Sequence, residues 1–161
     1  RCEQGNGGLV MASIKLEQAA ITTVASTELN SLANNAGALG AEYDNATNDY
    51  IYGVFELNVT FGSNPTAGNT VDLYIIPAPD GTNYDDATTG ASGAAPATCY
   101  AGGFPLRAVT TAQKVPLGLG ASGPVPLPPT KFKVFLLNKS GQAFPSSGST
   151  VKMVAYRYQS V

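Results

Sequence analysis

The chain has 161 residues, enough for one domain with a real core, and apolar residues make up 43% of it. Charged residues are only 12%, about half the usual share, and the net charge of −2 argues against a nucleic-acid partner, which needs net basic surface. Histidine is absent, which removes Ser-His-Asp and Cys-His nucleophile arrangements and His/Cys zinc sites together.

The charges are unevenly spread. All eleven acids lie between Glu3 and Asp86, with only Arg1 and Lys15 among them, whereas residues 97–161 carry seven bases and no acid. Two readings are open. A Greek key interleaves the halves, so that acids and bases become cross-strand neighbours. Alternatively one flank of the domain is acidic and another basic, and neighbouring copies or another protein surface meet it in a fixed orientation. The second reading makes Arg107, Lys131, Lys133, Lys139 and Arg157 interface candidates.

Taken in chain order, residues 1–18 read as an extended N-terminal arm and 19–161 as a single domain. Cys2 lies in the arm; with Cys99 it leaves a disulfide and two free thiols both open. No basic leader with an apolar core precedes the domain, and the apolar runs are of strand length, so neither a signal peptide nor a membrane helix is expected.

"ITTV" near residue 21 is a short strand. Thr27 is placed to cap a short helix over 28–33 that ends at Gly37, the only helical signal in the chain. A further strand piece falls near 42–47.

Tyr50 to Phe61 is the clearest strand. Ile51, Phe55, Leu57, Val59 and Phe61 alternate with Glu56, Asn58 and Thr60, giving one buried and one wet face. Thr70 to Ile76 repeats the pattern with Val71, Leu73 and Ile75 inward, closed by Pro77 and Pro79-Asp80-Gly81. Residues 82–96 read as a loop whose "ATTGASGAAP" run is too small and polar to pack.

Later strands are expected at 98–104, 106–117, 131–138 and 149–158. The third points Phe132, Val134 and Leu136 one way and Lys131 and Lys133 the other. "GPVPLPPT" carries four prolines within 124–130 and reads as a stiff edge or crossover between sheets. About seven or eight short strands punctuated by Gly and Pro predict an all-β fold, an antiparallel β-sandwich, jelly-roll-like or a related Greek key.

Chemistry is sparse. Glu42, Asp44, Asp49 and Glu56 permit a carboxylate pair of the glycosidase kind, but sugar clefts also use aromatic platforms and the chain has no tryptophan. The expectation is therefore a non-enzyme without cofactor. "DGTNYDD" offers Asp80, Asn83, Asp85 and Asp86 as oxygen ligands for calcium, yet lacks the EF-hand spacing; an Asp-Gly turn is the simpler reading. Among the tyrosines, Tyr50, Tyr52 and Tyr74 stand on strands and are candidates for a protein interface or a glycan-binding face.

Several stretches carry a resemblance: "AGNTVDLY", "DGTNY", "FPLRAVTTAQ" and "PLPPTKFKV" followed by "LNKSGQAFP". Over roughly Lys15 to Ser160 the chain resembles small β-rich virion structural proteins of tailed bacteriophages. The resemblance implies location in the virion, with a role in capsid decoration or cementing, or in the tail. Its implied partners are the major capsid protein, further copies of the chain in a homo-oligomer, or a host glycan; a self-assembling tube is a further reading. None of the shared stretches is a catalytic motif.

Overall fold

The computed structural model describes residues 13–84, 94–120 and 123–161. The strands are β1 (Ile14–Gln18), β2 (Thr22–Ala25), β3 (Gly37–Asp44), β4 (Tyr52–Val59), β5 (Thr70–Ala78), β6 (Tyr100–Pro105), β7 (Gln113–Leu117), β8 (Val125–Pro126), β9 (Lys131–Asn138) and β10 (Thr150–Ser160). They form two antiparallel sheets packed as a β-sandwich. The first has the order β1-β10-β4-β7, with β2 also on β10 and β8 also on β4; the second has the order β3-β9-β5-β6.

Tyr156 pairs with both Gln18 and Tyr52, and Val151 with both Ala25 and Leu57, so β1 and β2 occupy one edge of β10 and β4 the other. In the same way β7 and β8 share one edge of β4. Each pair is one strand broken once. Merging them gives eight strands, the first laddered with the last, the second with the seventh, the third with the sixth and the fourth with the fifth. That is one long hairpin wound over itself, the jelly-roll arrangement.

This winding settles where the charges go. Each of the eight ladders joins a strand from 14–78 to a strand from 100–160. The acidic arm of the hairpin therefore lies against the basic arm throughout. Glu42 stands opposite Lys133, Asp44 opposite Lys131, Glu17 opposite Arg157 and Glu56 opposite Lys152. The interleaved reading is the one the fold adopts.

The main core lies between the sheets. Phe55, Leu57 and Val59 of β4, Val71 and Leu73 of β5, Phe132, Val134 and Leu136 of β9, and Val151 and Met153 of β10 are all essentially inaccessible. At about 25 cal/mol per Å² of apolar surface, such side chains contribute roughly 1.5–3 kcal/mol each. β5 and β9 are buried on both faces, because Tyr74, Ile76, Phe135 and Leu137 form a second cluster on the outer side of their sheet, covered by Tyr84 and Ala95.

Several expectations change. The described end of the arm expected over 1–18 is β1, an edge strand of the first sheet; residues 1–12, with Cys2, lie outside the described residues. The helix over 28–33 is a single 3₁₀ turn at Thr27–Leu29, with Ser26 and not Thr27 at its N-cap position and no side-chain cap. Gly37 opens β3. Leu29 and Leu32 are both buried in the main core, and a single turn is enough to place them there, so no further turns form to repay the cost of nucleating an α-helix.

Ile51, expected inward, is 43% exposed: the ladder with β10 starts at Tyr52 and leaves it outside the core. The expected 106–117 strand is shorter because Gln113, itself buried, gathers the preceding loop. It accepts from Arg107 N–H and donates to the carbonyls of Arg107 and Val109. The loop at 82–96 does pack where it is described, through Tyr84, Ala95 and the buried Pro96.

Candidate interaction surface

The cations singled out in the sequence are largely engaged within the chain. Lys131 Nζ lies 3.1 Å from Glu42 Oε1, Lys139 Nζ 2.7 Å from Asp72 Oδ2, and Arg157 Nε 2.7 Å from Glu17 Oε2. Arg157 also donates to the Asn48 carbonyl and sits over the Tyr50 ring. Lys133 lies over the Tyr84 ring, 4.6 Å from its centroid. Arg107 is exposed on the loop that Gln113 organises.

Glu42 joins the outer charged cluster of the second sheet. The Tyr84 hydroxyl and Lys131 both donate to it and hold its carboxyl below the usual range. Burial, reinforced by the bond to Glu42, pushes the Tyr84 phenol up to about 12.

The carboxylates considered for catalysis are dispersed. Glu42 and Asp44 stand opposite lysines of β9, on the outer face of the second sheet. Glu56 lies opposite Lys152 on the outer face of the first. Asp44 accepts from the Ala46 N–H, forming a turn. The calcium candidate Asp80 is likewise a turn former. It accepts from the backbone N–H groups of Thr82 and Asn83 and from Asn83 Nδ2, bonds that hold its carboxyl down at about 2. Asp85 and Asp86 lie outside the described residues, and among the described residues no three His, Cys, Asp or Glu side chains are grouped for a metal.

Tyr74 is covered, only 8% exposed, against Phe135 and Tyr100. Tyr50 is half-buried against the core. Tyr52 lies on the outer face of the first sheet, where an apolar surface has assembled.

That surface follows from register. Val151, Met153 and Ala155 of β10 point into the core, so Val154, Tyr156 and Tyr158 point out. Across the ladders Leu16 stands beside Tyr158, Tyr52 and Gln18 flank Tyr156, and Val54 stands beside Val154. Ile21 and Leu119 complete a shallow groove over Val54 and Val154. Leu16, Ile21, Leu119 and Tyr158 are 46%, 70%, 56% and 61% exposed. Tyr52 and Tyr156 rings lean together with centroids 5.6 Å apart. At the other end of the face Lys152, Glu56 and Lys114 form a charged rim.

Alternation in "VKMVAYRY" is the signal that marks this face: both parities carry apolar or aromatic residues, which a strand with one wetted face does not need. Chemically the arrangement is an exposed apolar and aromatic surface with no carboxylate pair or nucleophile at its centre. No protein-family model matches the chain, and no curated protein matches it. No helix among the described residues is long and apolar enough to cross a membrane.

Proposed function

We infer that this chain is a non-enzymatic structural protein of a bacteriophage virion, a decoration or cement protein that stabilises the capsid through protein–protein contacts. The observation that carries the reading is the exposed apolar and tyrosine face of the first sheet, Leu16, Tyr52, Val54, Val154, Tyr156 and Tyr158, on a rigid jelly-roll scaffold. Tyrosine and aliphatic side chains with charges at one end are the composition of a protein interface, where apolar burial drives association and polar groups at the margin set orientation. The resemblance to phage structural proteins favours the capsid, and further copies of the chain, as partners.

Cryo-electron microscopy of the intact particle tests it. The chain should stand on the outside of the head with the first sheet facing a capsid subunit or a neighbouring copy. Density in the tail, or the first sheet facing solvent, refutes the decoration role.

A second reading has its own observation. The leaning Tyr52–Tyr156 pair, with Tyr158 one step along β10, is a ring platform of the kind that sugars stack on. Saturable binding on a glycan array, lost in Tyr156→Ala, selects a host-glycan module instead.

A further inference from the structure

Among the described residues β1 is an open edge, and its geometry fits a second copy of itself. Ser13 and Val161 exchange both backbone hydrogen bonds, at 3.0 and 2.8 Å, and Ala19 N–H donates to the Ala155 carbonyl. In an antiparallel ladder bonded and non-bonded pairs alternate. Lys15 and Glu17 therefore bond to β10, while the N–H and C=O groups of Ile14, Leu16 and Gln18 point away from it. Among the described residues no strand takes up that outer side. The edge carries no proline or bulge; its protection is its short length and the charges of Lys15 and Glu17.

The sequence of β1 is "IKLEQ", with Lys15 and Glu17 placed symmetrically about Leu16. A two-fold axis through Leu16 sets Leu16 opposite its counterpart and Ile14 opposite Gln18 of the other copy. These are the residues whose hydrogen-bonding groups face outward, so each of those pairs exchanges both bonds. Lys15 of each copy then falls opposite Glu17 of the other, at the non-bonded positions where side chains approach most closely. Shifting the axis to Lys15 or Glu17 puts like charges face to face. Ladder polarity permits all three axes, since each sets outward-facing residues opposite one another, and charge selects the one through Leu16.

We propose that the chain forms a two-fold dimer through antiparallel β1–β1 pairing centred on Leu16, joining two first sheets into one continuous sheet. Pairing brings the exposed Ile14 and Leu16 of both copies together beside Tyr158, so the apolar outer faces become one surface. The proposal deepens the homo-oligomer part of the reading above, and is tested on purified protein without any capsid.

Sedimentation of the 161-residue chain should show a concentration-dependent dimer. Lys15→Glu should raise its dissociation constant about tenfold by replacing attraction with repulsion at both pairs. Glu17→Lys also removes the Arg157 partner, so the deciding arm is the mixture. Lys15→Glu with Glu17→Lys should form a heterodimer tighter than either homodimer, because opposite charges again face each other. In a background lacking Cys2 and Cys99, Leu16→Cys should cross-link on oxidation, since bonded pairs hold Cα atoms about 5.5 Å apart, within disulfide reach. Gln18→Cys should not. A chain monomeric at all concentrations, no gain in the mixture, or cross-linking at 18 rather than 16 overturns the proposal.

Discussion

Lys139 Nζ lies 2.7 Å from Oδ2 of Asp72, whose side chain is only 8% exposed. Thr70 Oγ1 donates to the other carboxylate oxygen, 2.6 Å away. Asp72 sits on β5, central in the second sheet, and the lysine comes from the turn that follows β9, on the opposite arm of the hairpin. Removing the cation leaves a buried carboxylate with one neutral donor. Lys139→Met should therefore destabilise the fold by about 1–3 kcal/mol, whereas Lys114→Met, at an exposed edge position, should stay within about 0.5 kcal/mol. Urea unfolding midpoints of the two variants check this.

The pair with Asp72 raises the Lys139 ammonium above its ordinary range, chiefly through the hydrogen bond. A group whose folded pKa is raised stabilises fully below its unfolded value, about 10.4, and loses that contribution as pH rises through the folded value. Stability of the parent should fall in that alkaline window, and Lys139→Met should flatten this part of the profile. An unchanged profile would show that the pair contributes nothing in solution.

Tyr84 offers an independent titration. Its phenol is pushed up to about 12 by burial and by donating to Glu42, against an ordinary value near 10. Burial raises Tyr43, Tyr100 and Tyr156 as well, so ultraviolet titration should show a broad late phase, and Tyr84→Phe should remove the latest part of it. The same variant takes away the largest cause of the lowered Glu42 carboxyl, so the Glu42 pKa should rise when followed by carboxyl NMR.

Asn138 is fully buried at the end of β9, and its Nδ2 donates to the carbonyls of Leu32, Ala33 and Gln142 while its Oδ1 accepts from Ser140 N–H. It ties two loops to one strand end. Asn138→Ala orphans several backbone groups at once and should cost about 3 kcal/mol, lowering Tm by roughly 6–12 °C in a chain of this size. Calorimetry is the direct check.

Gly40 lies within a register shift of β3, and a Cβ there would stand 2.2 Å from the Val24 carbonyl oxygen. Backbone cannot rotate away as a side chain does. Gly40→Ala should destabilise by at least about 2 kcal/mol, while Gly62→Ala, with nothing within 4 Å of the added carbon, should be close to neutral. Equal thermal stability of the two variants would refute the close approach.

On the exposed apolar face, Tyr158→Ser alters an exposed side chain and should leave stability within about 0.5 kcal/mol. If the face binds the capsid, occupancy on particles should fall about tenfold, the effect of losing an aromatic anchor. Full occupancy would place the contact elsewhere.

Much of the architecture was legible along the chain. In β4 the alternation from Phe55 to Val59 reproduces the observed burial residue by residue, because a strand with one wet face records its orientation in its own sequence. Where both faces are covered that record vanishes. The inward set of β5 was readable, but the burial of Tyr74 and Ile76 on its other side depends on Tyr84 and Ala95 arriving from a distant loop. β1 was not readable as a strand and β8 only as part of a stiff proline-rich edge, since five and two residues at an edge are held by a neighbour's ladder and not by their own propensity.

The amino-acid sequence by itself determined an all-β sandwich, the absence of histidine chemistry and the division into an acidic first half and a basic second half. Only the tertiary structure decided what that division does. Winding one long hairpin sets each acidic strand against a basic one, so charges that look segregated along the chain meet as neighbours in space. The exposed face was decided the same way. Whether Val154 and Tyr156 are core or surface turns on which side of β10 the other sheet lies, and that is a property of packing between distant segments, not of any local pattern.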